Sequence, residues 1–256
     1  MSYRIDDVSF SIGSLPIVRD VTYAFEIGSM CSIIGPNGAG KTTLLKLMSG
    51  ELNPGKGQIY LGHRPLVELP LKERAKLRAV MTQNSVVVFD FLVDEILEMG
   101  WISGSLERFN QSRSKVVREC ELEDLVDRKF NSLSGGEQQR VQFARALLQI
   151  MSRTENDEDH FLLLDEPTAN MDVAHELNLL KVSREILKES VGVVVVLHDL
   201  NLAARFSDQI ILMDSGCVVA SGKPEEVLSG KILSDVYSTP IRVERHEELG
   251  RLVVYS

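Results

Sequence analysis

The sequence predicts an α/β fold with a largely parallel sheet, and three observations carry that expectation. Residues 30–34 (MCSII), 161–164 (FLLL) and 193–197 are short, continuous apolar runs, the pattern of strands buried on both faces. Segments of helical spacing separate these runs over most of the length, as strand–helix alternation requires. The chain has 256 residues, 44% hydrophobic and 25% charged, ordinary for a globular protein with a sizeable core in one large or two small domains.

In chain order, residues 3–10 and 18–27 alternate apolar and polar side chains and read as strands, broken at Gly13 and Gly28. The run at 30–34 leads into GPNGAGKTT and then a helix, LLKLMSG, closed by Gly50. Residues 58–61 form another strand after the turn-rich NPGKG. Residues 93–99, 115–125 and 136–150 are helical in pattern, so the stretch from about 94 to 150 is expected to be mostly helix. A polar, acidic loop at 152–160 precedes the run at 161–164, and residues 173–188 have helical spacing. Residues 210–213 and 217–220 flank Asp-Ser-Gly as a hairpin, and 241–244 with 251–255 flank HEELG as a final pair. No internal repeat is present.

Charge and cysteine content exclude several functions. Twenty-eight basic against thirty-seven acidic residues give a net charge of -9, which argues against a sequence-independent nucleic-acid coat, since phosphate neutralisation needs clustered Lys and Arg. Cys31, Cys120 and Cys217 are scattered, with no CxxC pair, which argues against a disulfide framework or a zinc site. The start MSYRIDDVSF has neither a basic nor an apolar leader region, so no secretory signal is expected. The longest strongly apolar stretch, 191–197, falls far short of the roughly 18 residues needed to span a bilayer. Any membrane role is therefore expected through a partner.

Chemistry concentrates at strand ends. Gly35 to Thr42 satisfies GxxxxGK[ST] between a buried strand and a helix, where successive N–H groups can turn around phosphate oxygens and the helix N-terminus adds positive charge. Lys41 is expected to reach the β- and γ-phosphates, and the Thr42 hydroxyl to hold Mg²⁺. Asp165, ending the run at 161–164, is expected to serve that metal, through water. Glu166 is placed to polarise an attacking water as a general base. His198 follows the run at 193–197 and is expected at the same sheet edge, against the γ-phosphate or the water. Gln83 follows Ala79-Val80-Met81, and its amide could contact metal or water.

Residues 133–140 read LSGGEQQR and lie between the phosphate loop and FLLLDEPTANMD. With Gln83 and His198 in order, this constellation resembles the ATP-binding subunit of ABC transporters over nearly the whole chain. The resemblance implies a single domain of the P-loop ABC ATPase fold, with a mostly parallel core sheet and an N-terminal antiparallel β subdomain. It also implies an inserted helical subdomain at about 84–150 and a C-terminal hairpin at about 237–256. ATP and Mg²⁺ are the implied ligands. Gly35, Asn37, Gly38, Ala39, Gly40, Lys41, Thr42 and Thr43 would hold phosphates, Gln83 with Thr42 and Asp165 the metal, and Asp172 would form the D-loop. In the family two copies dock head to tail, and Ser134, Gly135 and Gly136 would cap ATP held by the opposite phosphate loop. A homodimer with two composite sites is the expectation. One departure stands at Ile12, where the family commonly stacks adenine on an aromatic ring. Phe10, two residues earlier, reads as a core strand residue, so hydrolysis of GTP is compatible with this sequence.

Residues 84–100 are rich in large apolar side chains, which fits the family's surface for permease coupling helices, with ordinary core as the competing reading. The run from His198 to Asp208 resembles importers of iron chelates, hemin and cobalamin. Residues 151–160, QNSVVVFDF and the closing hairpin resemble hemin importers in particular. The expected partners are a second copy, two permease subunits and, indirectly, a periplasmic or lipid-anchored substrate-binding protein, at the cytoplasmic face of the bacterial inner membrane. A ferric-siderophore or cobalamin importer is the alternative within the class. A soluble ABC ATPase is the alternative outside it, though long coiled-coil insertions and a second cassette are lacking. For the acidic loop with His160, a solvated surface outweighs a metal site.

Overall fold

The computed structural model describes residues 2–83, 87–152, 160–248 and 250–255. The chain opens with strands β1 (Ser2–Ile12) and β2 (Leu15–Glu26), an antiparallel pair turning at Gly13. Tyr3 and Ile5 are buried in alternation with exposed or half-buried neighbours, and irregularities at Asp7 and Asp20, both with positive φ, shift the pattern so that Val8, Val18, Val21 and Phe25 also turn inward. β3 (Met30–Ile34) follows, then helix α1 (Lys41–Ser49), closed by Gly50, and β4 (Lys56–Leu61) and β5 (Arg64–Pro65). β1, β2, β4 and β5 make an antiparallel sheet in the order β2-β1-β4-β5.

After α2 (Leu71–Leu77) and β6 (Arg78–Met81) come α3 (Val93–Met99), α4 (Leu106–Glu119) and α5 (Gly135–Met151). β7 (His160–Asp165), α6 (Val173–Glu185), β8 (Val191–Val196), α7 (Leu200–Phe206), β9 (Gln209–Asp214) and β10 (Cys217–Gly222) alternate thereafter. The short α8 (Pro224–Val227), α9 (Gly230–Tyr237) and the hairpin β11 (Arg242–His246) and β12 (Arg251–Tyr255) finish the described chain. The second sheet has the order β10-β9-β3-β8-β7-β6, with every neighbouring pair parallel except β10 with β9.

Strands β3, β7 and β8 at the centre of this sheet are buried on both faces, which is why they are continuous apolar runs, whereas the edge strand β10 is half-buried or exposed. Alternate residues serve different cores. Phe161 and Leu163 of β7 join a cluster with α1 and the antiparallel sheet, where Tyr3 meets the Phe161 ring edge-to-face at 5.2 Å. Leu162 and Leu164 face the opposite way, into a cluster built with α3, α4, α5, α6 and α7. The closing hairpin is tied to α7 by Asn201, which donates to the Val254 carbonyl at 3.1 Å and accepts from its N–H at 2.8 Å.

Three details differ from the sequence reading. The helix expected at 115–125 is α4, which starts nine residues earlier and stops at Glu119. Its start is set by Ser105, whose hydroxyl accepts from the Arg108 N–H, and Phe109 is the only apolar side chain of its first two turns after Leu106, too few to show a period. Its end is set by Glu121, whose φ of 53° leaves the helical region. The helical spacing at 173–188 resolves into α6 and a 3₁₀ turn at Ile186–Glu189. His160 is not on a solvated loop: it opens β7, is 1% exposed and pairs in register with Val191. Residues 153–159 of that loop lie outside the described residues. Among the described residues no helix is long and apolar enough to cross a membrane.

Candidate functional site

The phosphate loop leaves the carboxyl end of β3 in a conformation that only glycine fits. Gly35 has φ 146°, and a Cβ there would lie 2.1 Å from the Met213 carbonyl oxygen of β9. Gly40, at φ 96°, caps α1, and a Cβ there would lie 2.6 Å from the Ile17 carbonyl oxygen of β2. The loop is thus wedged between two strands, while Asn37 and Gly38 stand exposed at its tip and Ala39 is buried beneath. Lys41 is 5% exposed, and its ammonium donates to the carbonyl oxygens of Gly35 (2.8 Å) and Pro36 (2.9 Å). Burial pulls this lysine below its ordinary pKa, opposed by the charges of Glu166 and Asp165. Thr42 and Thr43 are half-buried in the first turn of α1, and the Thr42 hydroxyl donates to Asp165 Oδ1 at 3.0 Å. Asp165 ends β7 almost fully buried, which pushes its carboxyl up against the opposing pull of the Thr42 hydrogen bond. Free N–H groups at a helix start, a buried cation and a hydroxyl–carboxylate pair are the elements a phosphate with a hard dication requires.

Three more predicted residues follow adjacent parallel strands: Gln83 after β6, Glu166 after β7 and His198 after β8. Parallel register (Met81 opposite Leu164, Asp165 opposite Val196) delivers them to one edge of the sheet. The His198 Nε2 lies 2.6 Å from Glu166 Oε1, and the Gln83 side-chain amide donates to Glu166 Oε2. Gln83 therefore meets Glu166, and no hydrogen bond among the described residues takes it to Thr42 or Asp165. The Glu166 side chain is 14% exposed and its backbone has φ 49°, a left-handed conformation uncommon outside glycine. Such local strain persists where surrounding structure over-determines a residue, as at reactive centres.

Residues Ser134, Gly135 and Gly136 open α5 at a separate cavity of about 530 Å³, lined also by Asn170, Asp172 and His175. Ser134 and Glu137 form a reciprocal cap: the Ser134 N–H donates to Glu137 Oε2 at 2.7 Å and its hydroxyl accepts from the Glu137 N–H. That backbone bond holds the Glu137 carboxyl below its usual range. A Cβ on Gly136 would sit 2.8 Å from the Asn170 carbonyl oxygen, so this helix start packs directly on the loop after β7. Asp172 caps α6, accepting from the His175 N–H at 3.0 Å, while its other oxygen meets His175 Nδ1 at 2.7 Å. His175 was not singled out from sequence, although its place three residues after a capping aspartate is the position such caps engage. It also faces Glu121 at 3.5 Å, joining α6 to the turn after α4. Among the described residues no hydrogen bond links Ser134–Gly136 with the phosphate loop.

Ile12 stands exposed at the tip of the β1–β2 turn, opposite Leu15, while Phe10 packs half-buried on the first core. Residues 84–86 lie outside the described residues. Beyond them, Val88 and Phe89, with Phe91 and Met99, border an apolar groove of about 370 Å³ against α5.

The comparisons with known proteins agree with this architecture. A family model described as ABC transporter matches residues 18–169. The chain is 39% identical over 239 residues to a hemin import ATP-binding protein of Rhodopseudomonas palustris (strain BisB5), covering 93% of this chain and 90% of that protein. It is 39% identical over 259 residues to one of Bordetella avium (strain 197N), covering 99% of both. A dimeric bacterial ABC transporter cassette superposes with a TM-score of 0.74 at 27% identity, covering 87% of this chain and 98% of that one. Its post-hydrolysis state, bound to ADP and Pi, gives 0.72 at 26% identity over the same shares. With a phosphate loop, a signature helix start and a strand-end carboxylate in the family's order, matched over most of its length, the chain belongs to the ABC transporter family, among its ATP-hydrolysing subunits.

Proposed function

We propose that the chain is the ATP-hydrolysing subunit of a hemin importer, working as a head-to-tail homodimer beneath two permease subunits at the cytoplasmic face of the inner membrane. The observation that carries the mechanism is the grip on Glu166, with His198 at 2.6 Å on one oxygen and the Gln83 amide on the other. Two partners fix its carboxylate near enough to Lys41 for the two charges to interact, which supports Glu166 as the general base for an attacking water. The buried Lys41 ammonium, freed from the Gly35 and Pro36 carbonyl oxygens, would pair with the β- and γ-phosphates. His198 would orient the water or the γ-phosphate. Thr42 and Asp165, with Gln83 at the edge, form an oxygen-rich donor set that fits Mg²⁺, and among the described residues no cluster of His, Cys, Asp and Glu suits a softer metal. Bound there, Mg²⁺ would neutralise charge on the phosphates.

The signature residues support the dimer. Gly135 and Gly136 open α5 on an open cavity, with the Ser134 hydroxyl beside them, and among the described residues none of the three has a hydrogen bond to the chain's own phosphate loop, so the ligand we assign to them is the γ-phosphate on a second copy, with Asp172 alongside. ATP held between two copies favours the closed pair, and loss of the γ-phosphate releases it. The apolar groove along 87–99 supports permease docking. Hemin as cargo, delivered by a periplasmic or lipid-anchored binding protein, is supported by the relatives' identity across whole chains. The test is ATPase activity of the complex reconstituted with its binding protein, loaded in turn with hemin, ferric siderophore and cobalamin. The greatest stimulation is expected with hemin, and stimulation by another cargo alone reassigns the transporter.

A further inference from the structure

The groove beside α3 poses a charge problem that its own chain does not solve. Its rim is apolar and open: Val88 is 78% exposed, Phe89 70% and Met99 52%, and the Phe89 ring braces edge-on against Phe91 at 6.0 Å. Among the described residues the only charged side chain lining it is Arg145 of α5. The Arg145 Nη2 donates weakly to the Val80 carbonyl oxygen at 3.4 Å, while Nε is buried with no acceptor. No ion pair among the described residues includes this guanidinium, and burial alone pulls its pKa down, with no carboxylate pulling back. Gly100, at the end of α3, approaches the Arg145 carbonyl so closely that a Cβ would fall 2.3 Å from it, which seats rim and floor on one tight contact. A cation sunk in an apolar wall without a counter-charge is costly until something supplies one.

We propose that the permease segment entering this groove presents one carboxylate flanked by apolar side chains, and that this carboxylate pairs with Arg145. The inference rests on the permease-docking reading above and names the chemistry of the docked segment. The chain carries a net charge of -9, so its overall field offers an acidic segment no attraction, and Arg145 acts only at close range, as a registration key. Once the apolar rim closes over the pair, water is excluded and the charge-assisted hydrogen bond strengthens. A neutral or basic segment of the same shape leaves Arg145 buried and uncompensated, so the groove selects against it.

The experiment uses the intact transporter, recovered from membranes with the permease that co-purifies with the tagged chain. Each Asp and Glu of the permease's cytoplasmic segments is changed to Lys, one at a time, and combined with wild-type chain or Arg145→Glu. Arg145→Glu alone, and one permease carboxylate changed to Lys alone, are each expected to lower permease recovery about tenfold or more. Together they are expected to restore it to within about threefold of wild type, the non-additivity of a direct pair. Thermal melting of the detached variant chain checks its fold; should Arg145→Glu not fold, the same cycle is run with Arg145→Gln against each carboxylate changed to its amide. Phe89→Asp separates the two readings. If it detaches the permease while no carboxylate rescues the Arg145 variant, docking stands and the pairing is overturned. If it leaves the complex intact, the docking reading falls first.

Discussion

Glu166→Gln removes one negative charge while keeping the shape of the side chain. The structure limits what else changes. A glutamine oxygen can still accept from the Gln83 amide, and the glutamine NH₂ can donate to a neutral His198, so both contacts of Glu166 have a replacement. The lost property is proton acceptance. General-base assistance is worth about 10²–10⁴ in rate, which at about 1.36 kcal/mol per decade is about 2.7–5.4 kcal/mol of transition-state stabilisation. Phosphate release at saturating Mg-ATP is expected to fall by that factor. ATP affinity and melting temperature should hold, and size-exclusion chromatography with ATP should show an accumulating dimer. Turnover within about threefold of wild type removes Glu166 from the base role. A parallel loss of ATP affinity would move it to the binding machinery instead.

Four other substitutions probe the remaining parts. Lys41→Ala should weaken nucleotide binding itself, seen by equilibrium titration, because the phosphate loop loses its buried cation. Ser134→Arg fills the open cavity at the start of α5 and should abolish ATP-dependent dimerisation while monomers still bind ATP; unimpaired turnover would count against the composite site. His198→Ala should lower hydrolysis without unfolding, since the ring is half-exposed, and circular dichroism beside an ATPase assay checks both. Gly35→Ala drives a methyl into the Met213 carbonyl and a backbone that disfavours it, at a cost of about 2–3 kcal/mol. At about 2–4 °C per kcal/mol for a chain of this size, calorimetry should show a fall of about 4–12 °C.

Much of the architecture was legible because burial writes itself into sequence. The continuous apolar runs of β3, β7 and β8 reflect strands covered on both faces, and Gly35 and Gly40 of the phosphate loop stand where a Cβ would come within 2.1 and 2.6 Å of a neighbouring carbonyl oxygen. The meeting of Gln83 with Glu166 was not legible, since 83 residues separate them and only the strand order β6-β7-β8 brings them together. The start of α4 escaped because its first turns carry too few apolar residues to show a period, and Ser105, a capping residue, looks like any other loop serine. Arg145 was invisible for the opposite reason. It sits in a helix whose apolar face is obvious, and its lack of a counter-charge exists only in three dimensions. His175 shows its place beside Asp172 but not its reach to Glu121, which depends on how α6 lies against the turn after α4.

The origin of Gln83, Glu166 and His198 on three neighbouring strands has a mechanical consequence. Inter-strand hydrogen bonds resist sliding of one strand along the next, so these three groups behave as a single stiff plate during a catalytic cycle. The opening of α5 lies beside that plate and meets it twice, at the loop after β7, where Gly136 abuts Asn170, and through the Gln139 side-chain amide, which donates weakly to the Gln83 carbonyl oxygen at 3.5 Å. A shift of the α5 opening against the sheet would therefore bend at those two contacts, while the spacing among Gln83, Glu166 and His198 would stay nearly constant.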